Sequence, residues 1–224
     1  MDVQEETVMG DRSPARDRVY AHVRDGILHR QIKGGAFLQE EQVSAAVGVS
    51  RTPVREAFHR LAAERWIDLL PRRGALVRQV TAQELVDVYE ARRVIETHAA
   101  AGLCRERRPV PKRAWELLRA MQADPAPDIA AHVELDQAFH RCLVGTLDNE
   151  VMIEMYDGLR SRQQRVALSA FGADPRRLGT ILAEHEALLT ALATGDAAAA
   201  AAVLERHLRP LAEITERLGG AVPE

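Results

Sequence analysis

Apolar residues recur along this chain at two periods, and the change of period divides it. Over about 15–30, Val19, Val23, Ile27 and Leu28 fall at helical spacing, which predicts a first helix ended by Gly34-Gly35. Leu38, Val43, Ala46 and Val47 predict a short second helix with Glu40 and Glu41 in its opening turn. Ala57, Phe58 and Leu61 place an apolar stripe on a third, over about 51–64. The period then shortens. Trp66-Ile67-Asp68-Leu69-Leu70 and Ala75-Leu76-Val77-Arg78-Gln79-Val80 are strand-like runs on either side of Pro71-Arg72-Arg73-Gly74, which is a hairpin signal. Thr81-Ala82-Gln83-Glu84 is a capping box, and from there the pattern stays helical. It predicts helices at about 82–106, 112–122, 128–146, 149–170, 175–194 and 196–218, broken at Pro109/Pro111, at 124–127, at Asp148-Asn149, at Asp174-Pro175 and at Gly195-Asp196. Pro210 is expected to kink the last helix.

The junction between the second and third helices carries the first candidate chemistry. In Val47-Gly48-Val49-Ser50-Arg51-Thr52-Pro53-Val54-Arg55-Glu56-Ala57, Gly48 suits a turn that needs positive φ. Ser50 suits an N-cap, and Pro53 is tolerated only in a first turn. The helix then opens on Arg51, Thr52 and Arg55, which can donate to DNA, and keeps its apolar stripe for the core. Arg72 and Arg73 at the hairpin tip suit phosphate or minor-groove contact. The predicted fold is therefore mainly α. It is a winged helix-turn-helix over 15–80 and an all-helical antiparallel bundle over 81–220, preceded by a polar tail, 1–14, expected to be disordered.

Composition narrows the class further. Hydrophobic residues make up 46% and aromatics only 4%, with alanine, leucine and arginine abundant, which favours helix. No run of about 18 apolar residues predicts a membrane span, and the polar, acidic start is unlike a signal peptide. Cys104 and Cys142 do not make a disulfide framework; two buried thiols in a cytoplasmic protein are expected. The net charge of −3 hides an asymmetry, since residues 1–80 carry 13 basic and 11 acidic side chains and residues 81–224 carry 17 and 22. Overall charge thus does not announce a nucleic-acid binder, and local clustering has to.

In the helical half, Asp136 and His140 are four residues apart and share a helix face. His185 and His207 lie on two later helices. One carboxylate and three imidazoles converging in a bundle would suit zinc, nickel or a similar divalent ion, with positions left open. Spacing alone leaves solvated or hydrogen-bonded histidines as the alternative.

The run from Ser50 to Ala57, followed by Pro71-Arg72-Arg73-Gly74, resembles the DNA-binding domain of the GntR family of bacterial transcription regulators. There are two departures. Arg65-Trp66 stands where relatives usually have glycine and an apolar residue, and Glu41 stands where some have a DNA-touching arginine. Residues 82–218 resemble the FCD effector domain of the FadR subgroup, and the six predicted helices are similar to its VanR-like branch.

The resemblance implies DNA contact by Arg51, Thr52, Pro53, Arg55, Arg72, Arg73 and Gly74. It implies a divalent transition metal, zinc or nickel, on Asp136, His140, His185 and His207. It also implies a small organic acid effector near Arg92, Asn149 and Arg160, with Arg165 a weaker candidate. For Arg92 the alternative is a salt bridge to a neighbouring glutamate, and for Asn149 a plain N-cap. His98 and His132 have no place in the pattern; a surface role is expected for His132, the alternative being that it faces the cavity, since it lies one turn before Asp136. Arg105 to Arg108 and Arg176-Arg177 are expected on solvated faces, and Glu184 and Glu186 are expected to point away from the face that bears His185. The implied function is a ligand-responsive regulator, in the direction of repression, acting as a homodimer on a palindromic operator. The alternatives are a direct metal sensor and a metal-dependent hydrolase, the latter lacking a motif such as His-Glu-x-x-His.

Overall fold

The structure, a computed structural model, describes residues 13–123, 128–173, 177–210 and 212–219. Most of the polar tail predicted over 1–14 lies outside the described residues, as do the predicted breaks at 124–127 and at Asp174-Pro175. The chain forms two compact units, Met1–Arg78 and Gln79–Glu224.

In the first unit, α1 (Ala15–Leu28), α2 (Glu40–Val47) and α3 (Arg51–Ala63) pack with β1 (Phe37–Leu38), β2 (Ile67–Leu70) and β3 (Gly74–Val77). The sheet is antiparallel in the order β1-β3-β2, with Ile67 opposite Val77 and Leu70 opposite Gly74. The helical stripes are buried as their spacing predicts, with Val19, Val23 and Val54, Phe58 and Leu61 inside. β1 escapes the sequence pattern because two residues show no period; pairing of Phe37 with Leu76 makes it a strand. α1 stops at Leu28, earlier than Gly34-Gly35. Gly35, with φ of 81°, instead turns the chain so that its N–H donates to the Val77 carbonyl at 2.8 Å.

Positive φ at three further positions, Gly48, Arg65 and Gly74, bears on the turns of this unit. Gly48 closes α2 in the left-handed region at 69°. Arg65 adopts 65° where relatives are expected to have glycine, so the backbone keeps the glycine conformation although the residue has a Cβ. Gly74 has φ of 104°, and a Cβ there would stand 2.2 Å from the Leu38 carbonyl oxygen. That neighbour is backbone and cannot swing aside. Gly74→Ala should therefore destabilise the first unit by more than about 2 kcal/mol, in the range of strained-backbone and overpacking mutants. Chemical unfolding of the isolated variant and wild type checks this; equal midpoints would refute it.

The second unit contains, among the described residues, α4 (Ala82–Arg105), α5 (Lys112–Ala123), α6 (Ile129–Val144), α7 (Glu150–Asp157), α8 (Arg160–Ala173), α9 (Arg177–Thr194), α10 (Ala197–His207) and α11 (Ala212–Arg217). Two of the six predicted helices are each divided. The break between α7 and α8 falls at Gly158-Leu159, where glycine weakens a helix. The expected kink at Pro210 is a full break, since proline removes a donor and its ring obstructs the preceding turn. Phe139, Leu118, Met121, Leu188, Leu189 and Leu204 are buried in one core drawn from α5, α6, α9 and α10. Thr81 Oγ1 accepts the Glu84 N–H at 3.1 Å, but the Glu84 carboxylate does not return to complete the box. Both of its oxygens take the buried Arg165 guanidinium of α8. Cys104 is a buried thiol, whereas Cys142 is only partly buried.

Candidate metal centre and nucleic-acid interface

At the start of α3, Ser50 takes the extended N-cap conformation, but its hydroxyl makes no capping bond. The reason lies in the sequence, because Pro53 occupies the third helical position and offers no N–H there. Arg51, Thr52 and Arg55 are exposed, Pro53 is half-buried, and Val54 turns inward. Arg72 and Arg73 are exposed in the turn of the wing, which Arg73 N–H closes onto the Leu70 carbonyl. Arg51, Arg55, Arg72, Arg73 and Gly74 line one concavity of about 860 Å³. Glu41 and Glu40 share it. Glu41 accepts from Arg51 and Glu40 from Arg55, each at 2.8 Å. Exposed pairs of this kind contribute about 0–1 kcal/mol, so both arginines can exchange a carboxylate for a phosphate or base edge.

In the helical unit, α6 presents Asp136 and His140 on one face, α9 brings His185 and α10 brings His207. One ligand atom from each lies within 4.8 Å of every other. His140 Nε2 stands 3.1 Å from His185 Nε2 and 3.1 Å from His207 Nε2, and His185 Nε2 stands 3.3 Å from Asp136 Oδ1. Ligands about 2.0–2.1 Å from a common ion, at right or tetrahedral angles, are about 2.9–3.4 Å apart, which these three spacings match, while Asp136 Oδ1 stands 3.8 Å from His140 Nε2; the donor types suit a divalent transition metal.

The outward nitrogens support this arrangement. His207 Nδ1 contacts Glu184 Oε2 at 2.9 Å. His140 Nδ1 lies 2.7 Å from Glu96 Oε2, close enough for charge interaction although off the line of a good hydrogen bond. Carboxylates behind ligating imidazoles orient the rings and raise their basicity. Phe139 stacks on His185, with ring centroids 4.4 Å apart. Burial holds the His185 imidazole well below its ordinary pKa, and the neighbouring His207 and His140 add to the effect. Burial lowers His207 as well, against the pull of Glu184. Both shifts favour the neutral ring whose lone pair a metal needs.

Glu96 is the hub behind the cluster. It accepts from Arg92 Nε and from Tyr156 Oη, each at 2.8 Å. Burial alone would raise its carboxyl pKa, but Arg92 above all, then His140, hold it well below the usual range. Arg92 thus makes the salt bridge weighed as the alternative to an effector role, yet its Nη2 remains buried without a hydrogen-bond partner. The same side chain lines a cavity of about 40 Å³ with Asp136, His207, Tyr89 and Arg177.

Several residues stand elsewhere than expected. Asn149 is exposed, and its side chain accepts the Met152 N–H, which makes it the plain N-cap of α7. Arg160 is exposed and lines a different cavity from Arg92. Arg165 is engaged by Glu84. His132, expected at the surface, is buried, and burial lowers its pKa. Arg177 is half-buried and lines the cavity that Arg92 lines, whereas Arg176 lies outside the described residues. Glu184, expected to point away, reaches across to His207 on the next helix. Glu96, Tyr156 and Tyr89 carry no sequence signal beyond the i, i+4 spacing of Arg92 and Glu96.

Comparison with known proteins identifies the family. Residues 15–77 match the bacterial regulatory proteins of the gntR family, and residues 87–210 match the FCD domain. The chain is 26% identical over 221 residues to the HTH-type transcriptional repressor RspR of Escherichia coli (strain K12), covering 95% of this chain and 94% of that protein. It is 29% identical over 190 residues to the gluconate operon transcriptional repressor of Bacillus subtilis (strain 168), covering 81% and 76%. Among solved structures, a GntR transcriptional regulator from Rhodococcus sp. RHA1 superposes with a TM-score of 0.74 at 28% identity, over 93% of this chain and 99% of that one. No helix among the described residues is long and apolar enough to cross a membrane. The chain belongs to the GntR family of bacterial transcription regulators and carries the FCD domain, which makes it a regulator of transcription and not an enzyme.

Proposed function

We propose that this regulator is a cytoplasmic repressor whose DNA affinity responds to a small carboxylate held beside a metal ion in the FCD domain. The observation that carries the proposal is the convergence of Asp136, His140, His185 and His207, with nitrogen spacings of 3.1 Å, next to a buried Arg92 whose Nη2 is unpaired. The four side chains would hold zinc or nickel, and the ion would supply a Lewis-acidic position for an anionic oxygen. Arg92, with Arg177 in the same cavity, would take the rest of the carboxylate charge. A relative named for a gluconate operon is in keeping with a sugar-acid or hydroxy-acid class. A homodimer would set two copies of α3 on a palindromic operator, and a ligand that prefers one arrangement of the dimer would shift its DNA affinity by that preference.

Arg51, Thr52, Pro53, Arg55, Arg72, Arg73 and Gly74 form the DNA face in this proposal. Arg51→Ala or Arg55→Ala should each cost about 1–3 kcal/mol if the side chain meets a base edge, and should lower the salt slope by about one if it meets phosphate. Operator titration at several salt concentrations reads both quantities. Wild-type affinity and slope in both variants would remove α3 from the interface.

The deciding experiment on the effector domain is metal analysis of the purified protein together with melts across small carboxylic acids. An acid present at about 100 times its dissociation constant should stabilise the folded state by ~2.7 kcal/mol. Metal near one equivalent and a rise confined to one acid class support the proposal. A protein free of metal and indifferent to every acid refutes it.

A further inference from the structure

The two arginines at the start of α3 are not bare. Arg51, Arg55, Arg72 and Arg73 line the concavity of the first unit together with Glu40 and Glu41, and His59 is its remaining titratable residue. The charges are unevenly shared. Arg72 and Arg73, in the wing, have no ion-pair partner among the described residues, whereas each arginine of α3 carries a glutamate of α2. The two pairs also differ from one another. Arg55 donates through Nε to Glu40, which leaves both of its terminal Nη groups free among the described residues. Arg51 donates through Nη2 to Glu41 Oε1, and Glu41 Oε2 has no partner among the described residues. The Glu40 side chain is 28% exposed and that of Glu41 77%. Glu40 thus braces its arginine from behind, while Glu41 stands out in solvent beside its own.

The Arg51–Glu41 pair therefore presents donors and an acceptor side by side. Arg51 keeps four of the five N–H donors of a guanidinium. The pair is weak enough to open, but its carboxylate then stands beside any phosphate that takes its place, and like charges at that distance repel. A base edge is different. A guanidinium fork needs two acceptors on one base, which in the major groove only guanine offers, through O6 and N7. The amino group in the same base pair is then the cytosine N4, a donor that a glutamate can take. We infer that Glu41 is a specificity-determining residue of the DNA face, an inference that rests on the assignment of α3 to DNA made above. With Arg51 on guanine, the Glu41 carboxylate accepts from a cytosine amino group, and at other sequences it keeps Arg51 from serving as a phosphate clamp. The unpaired arginines of the wing supply the phosphate contacts that fix register.

Selection from a random duplex library by the full chain supplies the DNA for the test. Each cytosine of the selected duplex is then replaced in turn by 2-pyrimidinone, which lacks the 4-amino group and still pairs with guanine. At one position the replacement should weaken the wild type about 10-fold and leave Glu41→Ala, an exposed substitution, unaffected. Glu41→Ala should also bind a scrambled duplex more tightly, with a salt slope steeper by about 0.9, because Arg51 is then free to neutralise one phosphate. Equal losses for the two proteins at every cytosine overturn the inference, and so does an unchanged slope on scrambled DNA. Arg51→Ala separates this outcome from failure of the DNA face. If it weakens binding while Glu41→Ala behaves as wild type, only the role of Glu41 falls. If Arg51→Ala also binds as wild type, or the selection enriches no sequence, the assignment beneath it falls as well.

Discussion

Replacing Glu96 by alanine is expected to lower the stability of the helical unit by about 3–5 kcal/mol, the usual cost of removing one partner from a buried ion pair. Glu96 is 4% exposed and Arg92 6%, so water cannot take over as the partner. The substitution strands the Arg92 guanidinium, deprives the buried Tyr156 hydroxyl of its acceptor and frees the His140 ring from its outer support. Glu96→Gln separates these effects. The amide oxygen can still accept from Arg92 and Tyr156, while the charge behind His140 is gone. It should unfold closer to wild type yet bind zinc about 10–100-fold more weakly, the range for outer-shell partners of a metal site. Urea unfolding and competitive zinc titration of both variants give the two quantities. A Glu96→Ala protein as stable as wild type would show that the carboxylate is not needed by Arg92, and wild-type zinc affinity in Glu96→Gln would show that it does not support His140.

His185→Ala should have the largest effect on metal. It deletes one donor outright, so the loss of zinc affinity should exceed the roughly 100-fold upper range for outer-shell changes. Its Nε2 stands 3.3 Å from Asp136 Oδ1 and 3.1 Å from His140 Nε2, and its ring stacks on Phe139. The melting temperature should then no longer rise on addition of zinc, and the response to a carboxylate should be blunted. A variant that still retains one equivalent of zinc after dialysis would remove His185 from the site.

The parts of this protein legible in sequence are those with a period or a turn residue of fixed meaning. The stripes of α1 and α3, the positive φ of Gly48 and the hairpin around Pro71-Arg72-Arg73-Gly74 all follow from local rules. The four converging side chains required more, because nothing local tells Asp136 and His140 that α9 and α10 will face them. The family resemblance supplied that juxtaposition, and the geometry is consistent with it. What stayed hidden depends on side-chain reach across helices. Glu184 sits beside His185 in sequence but turns to His207, and Glu96 gathers groups from three helices. Ser50 shows the opposite failure. A local rule was applied correctly but defeated by a neighbour, Pro53, that removes the N–H the cap would have used.

The smallness of the cavity beside Arg92 has a thermodynamic consequence. At about 40 Å³ it is far below the roughly 300–1,000 Å³ of ordinary small-molecule sites, so the carboxylate effector proposed above, if it has several carbons, would fit only with the surrounding helices further apart. The apparent dissociation constant is then the intrinsic one divided by the fraction of molecules already widened. If that fraction is about 1%, the protein answers at concentrations about 100-fold higher than its contacts alone would allow. In the sensor proposed above, the metabolite level at which a gene switches would then depend on these walls, which Ile181 and Leu208 help to line, as well as on the groups that touch the acid.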